Sequence, residues 1–434
     1  MRLRLTWTRA GVVLAVLLLV AAGLVAWLNV AGEDPLVGDA GAFAATPEQV
    51  AHGAYLARAG NCAACHTDRG GAAFAGGKGI ATPFGTVFAS NLTPDAKTGI
   101  GAWSAAQFWR AMHNGRSADG RLLYPAFPYP NFTEITRADS DALFAYLRSQ
   151  VPVTQVNRPH ALRFPYNLQA SLAVWRAMFF APGVYEPVVE RSVQWNRGAY
   201  LVRSLGHCAA CHSPRNAFGA TRDSLELSGG LIPLQNWYAP SLTSNKEAGL
   251  GDWDIKDIQD LLKNGVSQRG AVFGPMAEVV HNSLQYMSDE DINAMATYLK
   301  TIPQKSEAPE PLQLETSEKF GGELLKQGQK IYADNCAKCH AENGLGMPPS
   351  FPPLANNQSI QMPSAVNPIR MVLNGGYPPS TDANPHPYGM PPFAQALSNT
   401  EVAAVVTYIR MSWGNHGTAV SPQQVSDLRS APLD

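Results

Sequence analysis

The stretch "GNCAACHTDRGG" (60–71) decides how this chain is read. Two cysteines stand three apart and run straight into a histidine. The pattern returns as "HCAACHSPRN" (207–216) and "NCAKCHAENG" (335–344). All six cysteines of the 434-residue chain lie in these motifs, as Cys62/Cys65, Cys208/Cys211 and Cys336/Cys339. Each pair is followed at once by His66, His212 or His340.

Four chemistries use paired cysteines. A thioredoxin-like dithiol needs no following histidine and sits in a strand–helix–strand context absent from these flanks. A zinc site joins two pairs lying within a few tens of residues of each other, whereas these pairs stand far apart in the chain. A disulfide framework scatters cysteines through a short chain. Covalent haem attachment accounts for every residue of the motif. Two thiols three apart on a helical turn face one side and can add to the two vinyl groups of one porphyrin. The next residue then brings an imidazole under the iron. Three motifs predict three covalently bound haem c groups, with His66, His212 and His340 as axial ligands.

Length alone suggests about three domains. The net charge of −1, with no basic run beyond the N-terminus, points away from nucleic acid. Charged residues make up 15%, while Gly (38) and Pro (33) are plentiful, as expected for compact helical domains with long irregular loops. Near the N-terminus, 10–32 is free of charge, preceded by Arg2, Arg4 and Arg9 and followed by Glu33 and Asp34. As a helix this run spans about 34 Å, enough to cross a bilayer core. The flanking charges place the N-terminus in the cytoplasm and the rest outside. The competing reading is a cleaved signal peptide, for which "AFA" (42–44) is the nearest cleavage site. The length of the run favours a retained transmembrane anchor.

The rest of the chain repeats one unit three times. The motifs are preceded by "HGAYLARAGNCAACH", "RGAYLVRSLGHCAACH" and "QGQKIYADNCAKCH". A loop follows in the first two copies, "FASNLTPDAKTGIGAW" and "YAPSLTSNKEAGLGDW". Next comes a helix closing on Asn-Gly, at Gly115, Gly265 and Gly375, and then a terminal helix that opens on Ser or Thr with an acidic first turn. The order predicts an all-α fold of three tandem class I cytochrome c domains behind the anchor, at 46–155, 190–303 and 317–415. The segment 156–189 contains "LAVWRAMFF" and predicts a helix packed on a domain or a partner. The segment 303–316 is polar and proline-rich and reads as a spacer. The tail after Gly417 reads as surface or disorder.

A cytochrome that only passes electrons fills the sixth iron position, and a methionine thioether there favours Fe(II) and raises the potential. "PYGMPPFAQALS" puts Met390 in the loop before the last helix, and "FGPMAEVV" puts Met276 at the matching point of the second copy. The first copy reads "LLYPAFPYPNF", with Phe127 where a methionine is due. Met112 is the possible substitute; aligned on Asn-Gly, it stands opposite Leu262 and Val372. His113 is its neighbour, about 100° around the helix.

With these motifs, together with "SNLTPD", "YPAFPYPNF", "RGAYLV", "WYAPSLTS" and "GPMAEVV", the chain resembles the tri-haem cytochrome c subunits of membrane-bound periplasmic dehydrogenases. These serve alcohol, aldehyde, gluconate and fructose dehydrogenases. A related set serves molybdenum hydroxylases such as nicotinate dehydrogenase, and the "YPAFPYP" loop and single anchor look closest to it. The resemblance implies a separate catalytic subunit of flavin, quinoprotein or molybdopterin type, with ubiquinone or a terminal oxidase as acceptor. It also implies the bacterial inner membrane, with the haem domains in the periplasm. Two other readings remain at this point: a free-standing, peroxidase-like haem enzyme using an open first haem, and a simple periplasmic electron shuttle.

Overall fold

A computed structural model describes residues 2–33, 35–36, 43–246, 249–305 and 318–431. Asp34, Ala42 of the "AFA" site and most of the proline-rich spacer lie outside the described residues. The chain divides into two compact units. One comprises Met1–Ala54 and Cys65–Tyr185; the other comprises Tyr55–Ala64 and Glu186–Asp434, and so holds the second and third copies together.

In the first unit, an apolar helix runs over Arg2–Leu28. Its span Trp7–Leu28, 22 residues with mean hydropathy 2.7, is long and apolar enough to cross a membrane. The helix stops short of the expected residue 32, because Asn29 turns its amide into the folded unit. Asn29 Nδ2 donates to Ala173 O at 2.8 Å, on the helix Gln169–Phe179 predicted for "LAVWRAMFF".

Two capped helices follow in this unit. Helix Ala105–Asn114 starts on a Ser104–Gln107 capping box and ends at Gly115, whose φ of 58° is left-handed. Helix Arg137–Arg148 is capped by Thr136. The two helices meet through Phe108 and Phe144, ring centroids 5.3 Å apart.

The second unit repeats this plan twice. Helices Val193–Arg203 and Asp289–Lys300 frame the second copy, each capped by a serine. Helices Glu318–Asn335 and Asn399–Met411 frame the third. The Asn-Gly ends recur at Gly265, φ 75°, and Gly375, φ 64°. Asn367 clasps Tyr238 through two hydrogen bonds of 2.8 and 2.9 Å, and Gln358 Nε2 donates to Ser241 O at 2.7 Å. These side chains tie the third copy to the second.

Two expectations change. Helices predominate, but the chain is not purely helical. Gly79–Thr82, Gly85–Phe88 and Ala161–Leu162 form an antiparallel three-stranded sheet, and Gly230–Ile232 pairs with Trp237–Ala239. The loops after the haem motifs are long, and local pairing satisfies backbone groups that no helix takes up. The tail, expected to be surface or disorder, instead forms helix Pro422–Arg429. Val425 is fully buried within the core of the third copy, and Arg429 Nε donates to Asn399 Oδ1 at 2.7 Å.

Candidate haem-binding sites

Each cysteine pair sits on a short helix that leads into its histidine: Cys62–His66, Ala209–His212 after Cys208, and Ala337–His340 after Cys336. All six cysteines are free thiols, each half-buried or exposed. Burial pushes the Cys208 thiol up to about 12 and Cys336 up to about 11, with Cys211 and Cys339 adding to the effect. That is opposite to the lowered thiolate of a redox motif.

The three histidines share one geometry. His66 Nδ1 lies 2.7 Å from Ser90 O, His212 Nδ1 2.7 Å from Pro240 O, and His340 Nδ1 3.0 Å from Pro352 O. A carbonyl can only accept, so Nδ1 carries the proton and Nε2 keeps its lone pair. Burial lowers the pKa of all three, against the pull of the carbonyl, and holds the rings neutral. A neutral imidazole with its far nitrogen tied is the form that binds a metal. Two unbridged thiols beside such a ring fit covalent haem c.

The carbonyls explain the loops that repeat in the sequence. In "SNLTPD", Asn91 Oδ1 accepts from Thr93 N at 2.9 Å and its Nδ2 donates to Val153 O at 2.8 Å. That network holds the peptide of Ser90 where His66 meets it. The corresponding "APSLTS" loop presents Pro240. The signal for this role was the repeated Ser/Asn-Leu-Thr, but its partner histidine is distant in sequence.

The methionine loops differ in path. Leu123 N donates to Gly115 O, and Val272 N to Gly265 O, both at 2.8 Å. Phe127 and Met276 each follow four residues later, so they occupy matched positions. Met390 instead pairs directly with Gly376, N to O at 2.8 Å and O from N at 3.0 Å. Both methionines are half-buried, and Met390 packs against the core of the third copy. Met112 is 7% exposed, on the helix Ala105–Asn114. The loop of the first site carries no methionine in its sequence.

The sequence model of the family "Cytochrome c" matches residues 50–150, 196–303 and 325–413. The chain is 38% identical over 405 residues to the cytochrome c subunit of a quinone-type alcohol dehydrogenase from Gluconacetobacter polyoxogenes, covering 89% of this chain and 86% of that one. It is 38% identical to the cytochrome c subunit of gluconate 2-dehydrogenase from Pantoea cypripedii, covering 88% and 89%. It is 42% identical to a nicotinate dehydrogenase subunit from Pseudomonas putida, over 82% of this chain but 30% of that one. The three matched segments coincide with the three cysteine motifs, and this chain belongs to the cytochrome c family.

Proposed function

We propose that the chain is the electron-transfer subunit of a periplasmic, membrane-bound dehydrogenase. Three tandem class I cytochrome c domains, at 46–155, 190–303 and 317–415, each hold one covalent haem c. The attachment residues are Cys62/Cys65, Cys208/Cys211 and Cys336/Cys339, and the proximal ligands are His66, His212 and His340. Met276 and Met390 take the sixth positions of the second and third irons. The observation that carries this reading is the threefold recurrence of a histidine tied at Nδ1 beside two unbridged thiols.

Bound haem c supplies reversible one-electron exchange. The chain supplies thiols that fix the group and carbonyls that hold the imidazoles in one tautomer and orientation. The matched relatives are named as subunits of alcohol and gluconate dehydrogenases, which favours a relay over a free-standing haem enzyme or a shuttle. A flavin, quinoprotein or molybdopterin subunit then donates the electrons, and ubiquinone or a terminal oxidase accepts them. The helix Trp7–Leu28 anchors the chain in the inner membrane, with the haem domains in the periplasm.

Haem quantitation as the pyridine haemochrome, with an intact mass, should give three haems per chain; fewer in a host competent for cytochrome c maturation defeats the reading. The purified holoprotein should be reduced by dithionite but not by ethanol, gluconate or nicotinate. Substrate-dependent reduction without a second polypeptide would favour the free-standing enzyme.

A further inference from the structure

The second and third copies each bring a methionine into the segment before the terminal helix, Met276 in the first turn of helix Pro275–Asn282 and Met390 in a loop. In the first copy, the backbone register that delivers Met276 delivers Phe127. A phenyl ring has no lone pair to give a metal. Phe127 is held in an aromatic group, 5.3 Å from Phe132 and 6.3 Å from Tyr129 between ring centroids. Its loop closes over Gly115, where an added Cβ would stand 2.6 Å from the Tyr129 ring.

Among the nearby side chains with donor atoms, Tyr129 is fully buried, its Oη without a hydrogen-bond partner among the described residues and its ring packed edge-on against Phe180 at 4.8 Å. Met112 shares a helix face with Phe108, which packs on Phe144. Its counterparts Leu262 and Val372 are buried core residues in the copies that have such a methionine. His113 stacks on Trp109 at 4.4 Å with 8° between the planes, and its Nδ1 lies 2.6 Å from Thr133 O. In the second copy that position is Lys263, whose ammonium reaches Asp289 at 3.0 Å, at the start of the terminal helix. In both copies the side chain is held by the segment that leads into the terminal helix, His113 by Thr133 and Lys263 by Met287 O and Asp289. His160, which contacts Tyr124 of the loop edge-on at 5.1 Å, accepts the Phe88 N–H at Nδ1 (3.1 Å). A neutral ring accepting there carries its proton on Nε2 and has no second lone pair for iron.

We infer that the iron of the first haem has no sixth ligand from the protein and is a binding site for small neutral diatomic molecules of the carbon monoxide and nitric oxide class. This rests on the haem assignment above. An apolar, aromatic ligand loop suits a neutral π-acceptor on ferrous iron better than an anion, which would lose its hydration without a compensating charge.

The test is carbon monoxide titration of the dithionite-reduced holoprotein, after the haem count. A count below three refutes the haem assignment and is separate from this inference. With three haems present, about one per chain should shift its Soret band with carbon monoxide. Phe127→Met, checked to retain three haems, should abolish that shift and add the methionine–iron charge-transfer band in the oxidised protein. No shift in the wild type overturns the inference, and Met112→Ala, His113→Ala and Tyr129→Phe then identify the ligand by which one restores it. A shift that persists undiminished in Phe127→Met places the open iron at another haem and overturns it as well.

Discussion

A Cβ added at Gly198 would stand 1.9 Å from the Ala294 carbonyl oxygen, at Gly53 1.8 Å from Ala142 O, and at Gly328 2.2 Å from Ala404 O. In each copy the helix leading into the haem motif crosses the terminal helix at this glycine. The obstacle is backbone and cannot swing aside. These glycines belong to "HGAYL", "RGAYL" and "QGQKI", visible in the sequence as a repeat but not as a crossing, because their partner lies at the far end of the domain. Gly198→Val should therefore force the two helices apart. Overpacking of this kind costs about 1–3 kcal/mol, read as a lower guanidinium midpoint with the Soret band as probe. An unchanged midpoint would mean that the crossing is looser than these distances require.

The contacts that join the N-terminal apolar helix to the rest of the first unit bear on whether it is retained. Arg176 is 3% exposed; its Nε donates to Asn29 Oδ1 at 2.9 Å and its Nη1 to Asn114 O at 2.5 Å. Arg116 binds Asn29 O at 2.7 Å and Glu33 Oε1 at 2.7 Å. Phe43 packs edge-on against Phe144 at 5.1 Å. Cleavage after Ala44 would remove Asn29, Glu33 and Phe43 and leave the buried Arg176 guanidinium with Asn114 O but without the Asn29 acceptor, at about 1–3 kcal/mol or more for a charged group. The mature protein should keep residues 29–43, and N-terminal sequencing that begins near Ala45 would rule out a retained anchor. The uncharged run in the sequence continues to Gly32, whereas the helix ends at Leu28. Asn29 is no helix breaker in a composition count; its amide is drawn out by Ala173 and Arg176, contacts that only the folded chain supplies. The tail helix Pro422–Arg429 was missed for a similar reason. A short polar helix with one buried valine has little periodic signal, and its capping box at Ser421 and Gln424 was its clearest mark.

Across the whole molecule, what could be read in advance was local: the cysteine–histidine spacing, the Asn-Gly helix ends and the capped terminal helices. What could not be read was any pairing across long separations, including the carbonyls that orient His66, His212 and His340 and the clasp of Asn367 on Tyr238. The difference at residue 127 lies between these cases, since a comparison of the three copies shows the missing methionine but not whether another donor replaces it. That difference sets an expectation for the chain as an electron carrier. A thioether ligand stabilises Fe(II) and raises the potential, and its absence leaves the iron with one imidazole. A redox titration of the holoprotein should therefore resolve one haem below the other two. Supplying the thioether by Phe127→Met should raise that lowest potential and leave the upper two in place, because Met276 and Met390 lie in other copies. If the lowest transition stays fixed in Phe127→Met while the variant keeps three haems, residue 127 does not set the first iron's ligation, and the order of the potentials has another origin.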